Sequence, residues 1–351
     1  MTYKQNEALR GDESVRELLS PLNQFLADEN NTEICINRPG EVFVEARSKW
    51  TKHLVPEATF ERLQSLGLAT ATYKKTTVSP EKPILSAQLP DGERLQLVVP
   101  SACEDGTISL TIRKPSMQVR RLEEYSESGF FEHIRPLNNE LAGDEYELMQ
   151  LKQGQRYEEF LRRAVALEKV IVVAGATGSG KTTFMRALMQ EVSTRQRVIT
   201  IEDVHELFMP DHPNRVHLFY PAEGGANAVV TPTALLRSCM RMKPDRIFLA
   251  ELRGGETFDF INVCSSGHAG SITSCHAGST ELTFERLALM ILQSEKGQKL
   301  PYDVIKRLLY MVVDVVVHVH NDATGLHGRH ITELWYDPWR KRGINEPKVG
   351  A

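Results

Sequence analysis

Residues 170–183 read VIVVAGATGSGKTT, and they place three glycines and a lysine directly after a run of apolar residues. The apolar run is typical of a buried strand, and the residues after the lysine are typical of a helix. The segment from Gly175 to Thr182 matches the pattern G-x-x-x-x-G-K-[ST] in the strand–loop–helix context that this pattern requires. This stretch therefore predicts an α/β domain that carries a phosphate-binding loop.

The composition of this loop has a physical reason. Glycines let the chain curl tightly enough for backbone N–H groups to replace the water around a phosphate, and the following helix adds the positive end of its dipole. Lys181 is then expected to bridge the β- and γ-phosphates, and the Thr182 hydroxyl to bind Mg²⁺. The predicted nucleotide-binding residues are Gly175, Ala176, Thr177, Gly178, Ser179, Gly180, Lys181, Thr182 and Thr183.

The nucleotide is predicted to be ATP rather than GTP. Residues 242–245, MKPD, resemble the guanine-reading motif N-K-x-D, but Met242 stands at the asparagine position. The predicted ligands are therefore ATP and Mg²⁺.

Strand candidates alternate with helical segments from about residue 156 onward. The strand candidates are VIVVA, RVITI, VHLFY, RIFLA and SITSC. Helical segments separate most of them, which predicts a mainly parallel sheet with helices on both faces.

The chain before this region has a different character. Two predicted hairpins, TEICIN with EVFVEA and ILSAQL with RLQLVV, are typical of a smaller α+β unit. Between residues 122 and 150 lie eight acidic residues and one arginine, a composition typical of an exposed connector. We predict an N-terminal α+β domain over residues 1–121, a linker over 122–155 and the α/β domain over 156–351.

Two clusters of acidic residues follow predicted strands. RVITIEDVHELF places Glu202 at the end of one strand, and RIFLAELRGGE places Glu251 at the end of another. Because the carboxyl ends of parallel strands form one ligand crevice, both acids are expected near Lys181. We predict that Glu251 holds the metal and the attacking water and that Glu202 is a second acid that polarises water, although the two roles could be exchanged.

The segment SGHAGSITSCHAGS places His276 after the next predicted strand, between small residues that let a ligand approach closely. We predict that His276 senses the γ-phosphate through a hydrogen bond. Two alternatives remain open, namely a core histidine and a zinc site. The zinc site would use Cys264, His268, Cys275 and His276, whose spacing fits no standard zinc site.

Composition limits the possible partners and compartments. The net charge is −4 and no long basic field is present, which argues against nucleic acid as the main partner. The five cysteines are scattered without a C-x-x-C pair, which predicts reduced thiols in a cytoplasmic protein. The longest apolar stretch, residues 308–319, is interrupted by Asp314, so no membrane span is predicted.

Four blocks stand in a fixed order along the chain: GATGSGKT, ITIEDVHEL, RIFLAELRGGE and GSITSCHAGS. This order resembles the Walker A, Asp box, Walker B and His box of the type II/IV secretion traffic ATPases. With the N-terminal segment INRPGEVFVE, the chain looks most like the hexameric ATPase of bacterial type IV secretion systems. Its lack of a four-cysteine module also favours the type IV branch. His205 departs from the pattern, because a smaller or turn-forming residue is expected between the Asp-box acids.

The resemblance implies a RecA-like C-terminal domain, a smaller N-terminal domain and a homohexameric ring. It also implies that nucleotide lies between the two domains and that N-terminal arginines reach the terminal phosphate. Arg113 in LTIRKPS stands at the matching position, and Arg120 and Arg121 are weaker matches. An arginine there would stabilise charge on the γ-phosphoryl group, an effect worth about 10³–10⁵ in rate in other phosphate-loop enzymes.

The function implied by the resemblance is Mg²⁺-dependent ATP hydrolysis that powers substrate translocation or pilus assembly. The implied partners are other type IV secretion components at the cytoplasmic face of the inner membrane, with peripheral membrane contact and no sequence-specific nucleic acid. Two alternatives remain open. One is a pilus-retraction or DNA-translocating motor with the same fold, and the other is a nucleotide-gated scaffold that does not hydrolyse ATP.

Overall fold

The computed structural model describes residues 12–115, 119–134, 140–222 and 230–343. Within these ranges the chain forms a six-stranded sheet in its N-terminal part and a seven-stranded sheet in its C-terminal part. Each sheet has its own set of packed helices, as the sequence predicts.

The N-terminal sheet is antiparallel throughout its described pairs. Its strands are β1 (Asn31–Arg38), β2 (Glu41–Ala46), β3 (Lys49–Leu54), β4 (Ile84–Gln88), β5 (Arg94–Val98) and β6 (Ser109–Arg113). They lie in the order β3-β2-β1-β6-β5-β4. Both predicted hairpins are confirmed, and Gly40 and Gly92 have φ values of 79° and 101° in their turns, which glycine adopts readily.

Three helices cover one face of this sheet. They are α1 (residues 12–19), α2 (Asn23–Ala27) and α3 (Phe60–Tyr73). Thr59 caps α3 by accepting the N–H of Arg62 at 3.2 Å. Leu63 and Leu66 of α3 then join Ile34 and other strand residues in one buried apolar cluster, which gives this part of the chain its own core.

The predicted linker contains two helices with different surroundings. No side chain of α4 (Leu122–Glu127) is buried, whereas Leu148 and Leu151 of α5 (Gly143–Gln153) join the apolar cluster that contains Ile171 of the C-terminal sheet. Helix α5 therefore packs as part of the C-terminal core. Residues 135–139 of the linker lie outside the described residues, and its predicted bounds stay a prediction.

The C-terminal sheet is parallel except for one edge pair, which confirms the predicted α/β class. Its strands are β7 (Ile171–Ala174), β8 (Val198–Glu202), β9 (Arg215–Phe219), β10 (Arg246–Leu252), β11 (Ile272–Cys275), β12 (Val315–Asn321) and β13 (Arg329–Tyr336). The order is β13-β12-β7-β11-β10-β8-β9, and β12 and β13 form the antiparallel pair. The carboxyl ends of β7, β8, β10 and β11 therefore lie along one edge.

Helices cover both faces of the C-terminal sheet. The helices are α6 (Tyr157–Ala166), α7 (Lys181–Gln190), α8 (Pro232–Cys239), α9 (Glu256–Ser265), α10 (Thr280–Ile291), α11 (Tyr302–Val312) and α12 (Pro338–Arg342). Strand β7 shows the arrangement: Val172 packs into the cluster with α8, α9 and α10, while Ile171 and Val173 pack into the cluster with α6 and α7. Both faces of the central strands are buried, as expected for a parallel sheet.

The apolar stretch 308–319 divides at Asp314 into the end of α11 and the start of β12. The Asp314 carboxylate accepts the N–H of Val170 at 2.8 Å and lies 2.5 Å from the ammonium of Lys341. The charge is thus paired inside the fold. Of the helices in the described ranges, none is long and apolar enough to cross a bilayer.

The two domains meet along the edge strand β9. The N–H of Phe219 donates to the carbonyl oxygen of Ala102 at 3.0 Å, and Cys103 and Leu218 form an antiparallel bridge. Close by, the buried Arg197 guanidinium donates to Asn37 and Asn214 at 2.7 and 2.6 Å. These contacts attach the N-terminal domain to the C-terminal sheet.

Candidate nucleotide-binding site

The loop between β7 and α7 is curled by its glycines. Gly178 and Gly180 have φ values of 74° and 97°, in the region where side chains other than glycine are strained. A Cβ on Gly175 would lie 2.2 Å from the carbonyl oxygen of Val319 and 2.6 Å from Ser179 Oγ. The hydroxyl of Ser179 is itself buried and has no hydrogen-bond partner among the described residues. A curled backbone with an unpaired hydroxyl and a helix start fits a phosphate ligand.

Lys181 opens helix α7 and keeps its ammonium beside the loop. Its Nζ donates to the carbonyl oxygens of Gly175 and Ala176, each at 3.0 Å, and lies 3.3 Å from His276 Nδ1. Burial lowers the pKa of Lys181, and the negative charge of Glu251 opposes this shift. The ammonium therefore lies between the loop and the acid at the end of β10. Thr182 follows, half-buried, and Thr183 is exposed.

Glu251 is joined to Lys181 through His276. The Glu251 Oε1 atom lies 2.7 Å from His276 Nε2, at ion-pair distance but outside hydrogen-bond geometry, while the other ring nitrogen faces Lys181. The rule that strand ends converge thus brings Lys181, Glu251 and His276 together. Their catalytic roles stay predictions.

Arg253 and Asp203 extend this cluster, although neither is among the predicted site residues. Arg253 donates to Glu251 at 2.9 Å and to Asp203 at 2.6 Å. Burial alone would lower the pKa of Arg253, but the hydrogen bonds to Asp203 and Glu251 outweigh it and raise the pKa. The sequence signal for Arg253 is its position two residues after Glu251, the acid at the end of the strand.

Glu202 has different surroundings from those predicted. Its carboxylate is fully buried and accepts the N–H groups of Glu206 and Leu207 at 2.8 and 2.7 Å and the Thr200 hydroxyl at 2.6 Å. Burial would raise the pKa of Glu202, but hydrogen bonds from His217, Thr200 and the backbone outweigh it and lower the pKa. One oxygen, Oε2, holds the turn after β8 through both N–H groups, and the other, Oε1, is engaged by the Thr200 hydroxyl within β8. This geometry supports a structural role and does not support the predicted action on water.

The structure does not bring Arg113 to the phosphate loop. Its side chain is 65% exposed, and its Nε lies 3.6 Å from Glu33 Oε1. Glu33 pairs with Glu45 across β1 and β2, and Glu45 lies 3.1 Å from Lys243, just before the amino end of β10. Arg113 therefore lies toward the amino ends of the parallel strands of the C-terminal sheet, whereas the phosphate loop lies at their carboxyl ends. Its contact with nucleotide stays a prediction. Arg120 and Arg121 are exposed before α4.

Burial of the Glu33 carboxyl makes the stability of the fold depend on pH. Burial raises the pKa of Glu33 to about 7, against the opposing charge of Arg113. The folded chain then holds this proton more tightly than the unfolded chain, in which the pKa of Glu33 is near 4.5. The contribution of this proton to the free energy of unfolding is therefore complete below pH 4.5 and is lost as pH rises toward 7. We expect Glu33→Gln to raise the free energy of unfolding in urea at pH 8 by up to about 3 kcal/mol. The gain should shrink at pH 5, and an equal gain at both pH values would contradict this origin.

Arg329 is a third residue near the site that is not among the predicted site residues. It begins β13, and its Cδ would lie 3.1 Å from a Cβ placed on Gly180. No local sequence signal beyond residue 319 predicts an arginine beside the loop.

The alternative zinc site near His276 is not formed in the described parts of the chain. Cys264, His268, Cys275 and His276 are not among the residues there that come close enough to hold a metal ion. Burial raises the pKa of the Cys264 and Cys275 thiols to about 12, as expected for cysteines that pack as small apolar residues.

Comparison with known proteins shows the family of this chain. The family model for type II/IV secretion system proteins matches residues 15–321. The chain is 61% identical over 340 residues to the type IV secretion system protein VirB11 of Brucella abortus, covering 96% of this chain and 94% of that protein. It is 43% identical over 320 residues to PtlH of Bordetella pertussis, covering 91% and 94%.

A solved structure also matches along nearly the whole chain. The crystal structure of the VirB11 ATPase from the Brucella suis type IV secretion system, in complex with sulphate, has a TM-score of 0.92 at 60% identity. The match covers 96% of this chain and 98% of that one. The chain therefore belongs to the type II/IV secretion system protein family, and within it to the type IV secretion ATPases.

Proposed function

We propose that six copies of this chain form a ring that hydrolyses ATP with Mg²⁺ and powers substrate translocation or pilus assembly in a type IV secretion system. The observation that carries the catalytic part is the contact series in which His276 joins Lys181 to Glu251 beside the curled loop. Similarity to type IV secretion ATPases along nearly the whole chain supports the biological part. Other components of such a system are the proposed partners, and contact with the inner membrane would be peripheral.

The loop and Lys181 would bind the phosphates. Bound ATP supplies the γ-phosphoryl group that is transferred to water. Backbone N–H groups of residues 175–182 would replace its lost hydration, and the Lys181 ammonium would neutralise charge on the β- and γ-phosphates. The ammonium now donates to two loop carbonyls, so it lies where its hydrogen bonds can exchange for phosphate oxygens.

Thr182 and Glu251 are the residues proposed to hold Mg²⁺. Both offer oxygen donors, which this hard cation prefers. Mg²⁺ at this position supplies positive charge next to the transferred phosphoryl group.

The remaining residues of the cluster would position the reacting groups. Glu251 would accept a hydrogen bond from the attacking water and orient it. Arg253 holds one oxygen of this carboxylate and anchors it to Asp203. His276 contacts both Glu251 and Lys181, so it is placed to respond when the γ-phosphate changes.

Dependence of turnover on Mg²⁺ tests this proposal. Purified chain should release phosphate from ATP, should lose this activity in excess EDTA and should regain it when excess Mg²⁺ is added, because the oxygen donors need the cation to neutralise phosphate charge. In the same preparation, the particle with ATP and Mg²⁺ should have the mass of six chains. Turnover that persists in EDTA would contradict the metal assignment, and ATP binding without turnover would favour the scaffold alternative.

The comparisons do not favour the two alternative functions. The relatives that match at high identity are type IV secretion proteins. A retraction motor, a DNA motor or a scaffold without hydrolysis has no comparable support.

A further inference from the structure

We propose that Glu104, His205 and His217 form a binding site for a divalent transition-metal ion, for which Zn²⁺ is the best fit, and that this ion joins the two domains. Each residue offers one ligand atom, and these atoms all lie within 4.8 Å of one another. Glu104 belongs to the N-terminal domain, whereas His205 and His217 belong to the C-terminal domain. The site is separate from the proposed ATPase chemistry and does not depend on it.

The backbone brings Glu104 and His217 together. The loop between β5 and β6 lies against β9 as an additional short antiparallel segment, with Cys103 opposite Leu218 and Ala102 bonded to the N–H of Phe219. Antiparallel register then places Glu104 opposite His217 on one face of the pair. The carboxylate and the imidazole are therefore neighbours because of strand register.

His205 approaches from the turn after β8. Its ring centroid lies 4.5 Å from that of His217, and its Nε2 atom is buried without a hydrogen-bond partner among the described residues. An unsatisfied buried nitrogen costs about 1–3 kcal/mol. Metal coordination would satisfy this atom, which explains a histidine at a position where the family resemblance predicts a smaller or turn-forming residue.

His217 is held with one nitrogen available for coordination. The Thr200 hydroxyl donates to the Glu202 carboxylate at 2.6 Å, so its oxygen accepts from His217 Nδ1 at 2.7 Å. This arrangement fixes the proton on Nδ1 and leaves the lone pair on Nε2. A hydrogen bond donated by the ring nitrogen that does not bind the metal usually supports a metal-binding histidine. The buried Glu202 carboxylate thus orients His217 through the Thr200 hydroxyl.

The donor set determines the class of metal. Two imidazole nitrogens and one carboxylate oxygen suit Zn²⁺ with water in a fourth position. Mg²⁺ prefers oxygen ligands in an octahedral arrangement, so this site would discriminate against the cation used for ATP hydrolysis. His205 lies two residues after Asp203, which bonds to Arg253, so the ion would fix the Asp-box turn against the N-terminal domain.

Zn²⁺ titration of the full chain tests the proposal. The titration uses the double variant His327→Ala/His330→Ala as the background chain, because these two histidine rings lie 5.9 Å apart and could also capture metal. After chelator treatment, calorimetric titration with ZnCl₂ should give one tight site per chain. Co²⁺ in place of Zn²⁺ should give the strong visible absorption of a tetrahedral site.

Ligand variants in that background should weaken binding strongly. His205→Ala and Glu104→Gln are each expected to lower Zn²⁺ affinity by about 100-fold or more, since loss of an outer-shell partner alone costs about 10–100-fold. Both residues are only half-buried, so the variants should fold, which circular dichroism will check. Thr200→Val should have the smaller outer-shell effect, about 10–100-fold.

Asp105→Asn is the matched control, because it removes the same charge from the neighbouring exposed residue and should leave affinity unchanged. Zn²⁺ should also raise the midpoint of thermal unfolding in the background chain but not in His205→Ala, since a ligand that binds only the folded state stabilises it. The proposal is overturned if the background chain has no tight site, or if His205→Ala and Glu104→Gln bind Zn²⁺ as well as Asp105→Asn does.

Discussion

Replacing Glu251 with glutamine is expected to lower the rate of ATP hydrolysis by about 10²–10⁴-fold, the usual contribution of a positioned acid or base, while nucleotide binding is retained. Glutamine keeps the size of the side chain and one carbonyl oxygen for Arg253, but it loses the charge and the second acceptor. The Glu251 Oε1 atom lies 2.7 Å from His276 and has no hydrogen-bond partner of its own among the described residues. This oxygen is therefore the one available to orient water.

The measurement is phosphate release together with binding of a fluorescent ATP analogue. Glu206→Gln is the matched control, because it makes the same change at an exposed acid of the Asp box and should leave turnover near that of the unmodified chain. Equal turnover in Glu251→Gln and in the control would remove Glu251 from the chemistry.

Glu202→Gln distinguishes the two acids in the same assay. Because Glu202 accepts two backbone N–H groups and a hydroxyl, the amide should disturb the turn and lower stability. If its stability were unchanged while turnover fell as far as in Glu251→Gln, the exchanged assignment of the two acids would be correct instead.

The sequence alone predicts the phosphate-binding loop and part of the cluster of side chains around it. The glycine pattern and the strand before it are local signals, and parallel strands necessarily present their carboxyl ends at one edge. These two facts are enough to place Glu251 and His276 near Lys181.

The sequence alone does not show which of the adjacent acids Glu202 and Asp203 faces the site. All residues of β8 are buried, so the strand lacks the polar–apolar alternation that would show which way its last side chains point. Glu202 points into the protein and Asp203 points toward Arg253. Adjacent acids at a strand end point in opposite directions, and only the packed structure shows which is which.

The positions of the arginines likewise depend on tertiary structure. Arg253 is close in sequence to Glu251, but Arg329 reaches the loop only because β13 pairs with β12 beside β7. The position of Arg113 depends on how the N-terminal domain sits on β9, and no local pattern encodes that arrangement.

Replacing Lys181 with alanine is expected to lower ATP affinity by about 10–150-fold, because one hydrogen-bonded charge contributes about 1.5–3 kcal/mol. Turnover should fall further than affinity, since the ammonium also stabilises charge that develops on the phosphoryl group during transfer. The ammonium is held by two loop carbonyls and lies beside His276, so its removal leaves the loop without this charge.

The comparison that isolates this effect uses Lys296→Ala, which removes an equal charge from an exposed position and should leave both affinity and turnover unchanged. Single-turnover phosphate release at saturating ATP separates the two losses, because a pure binding defect disappears at saturation whereas a defect in phosphoryl transfer remains. A Lys181→Ala chain that hydrolyses saturating ATP at the rate of Lys296→Ala would show that Lys181 acts in binding alone. Among the described residues, Arg253, which contacts Glu251, and Arg329, which lies beside the loop, would then be the first candidates for stabilising the transferred charge.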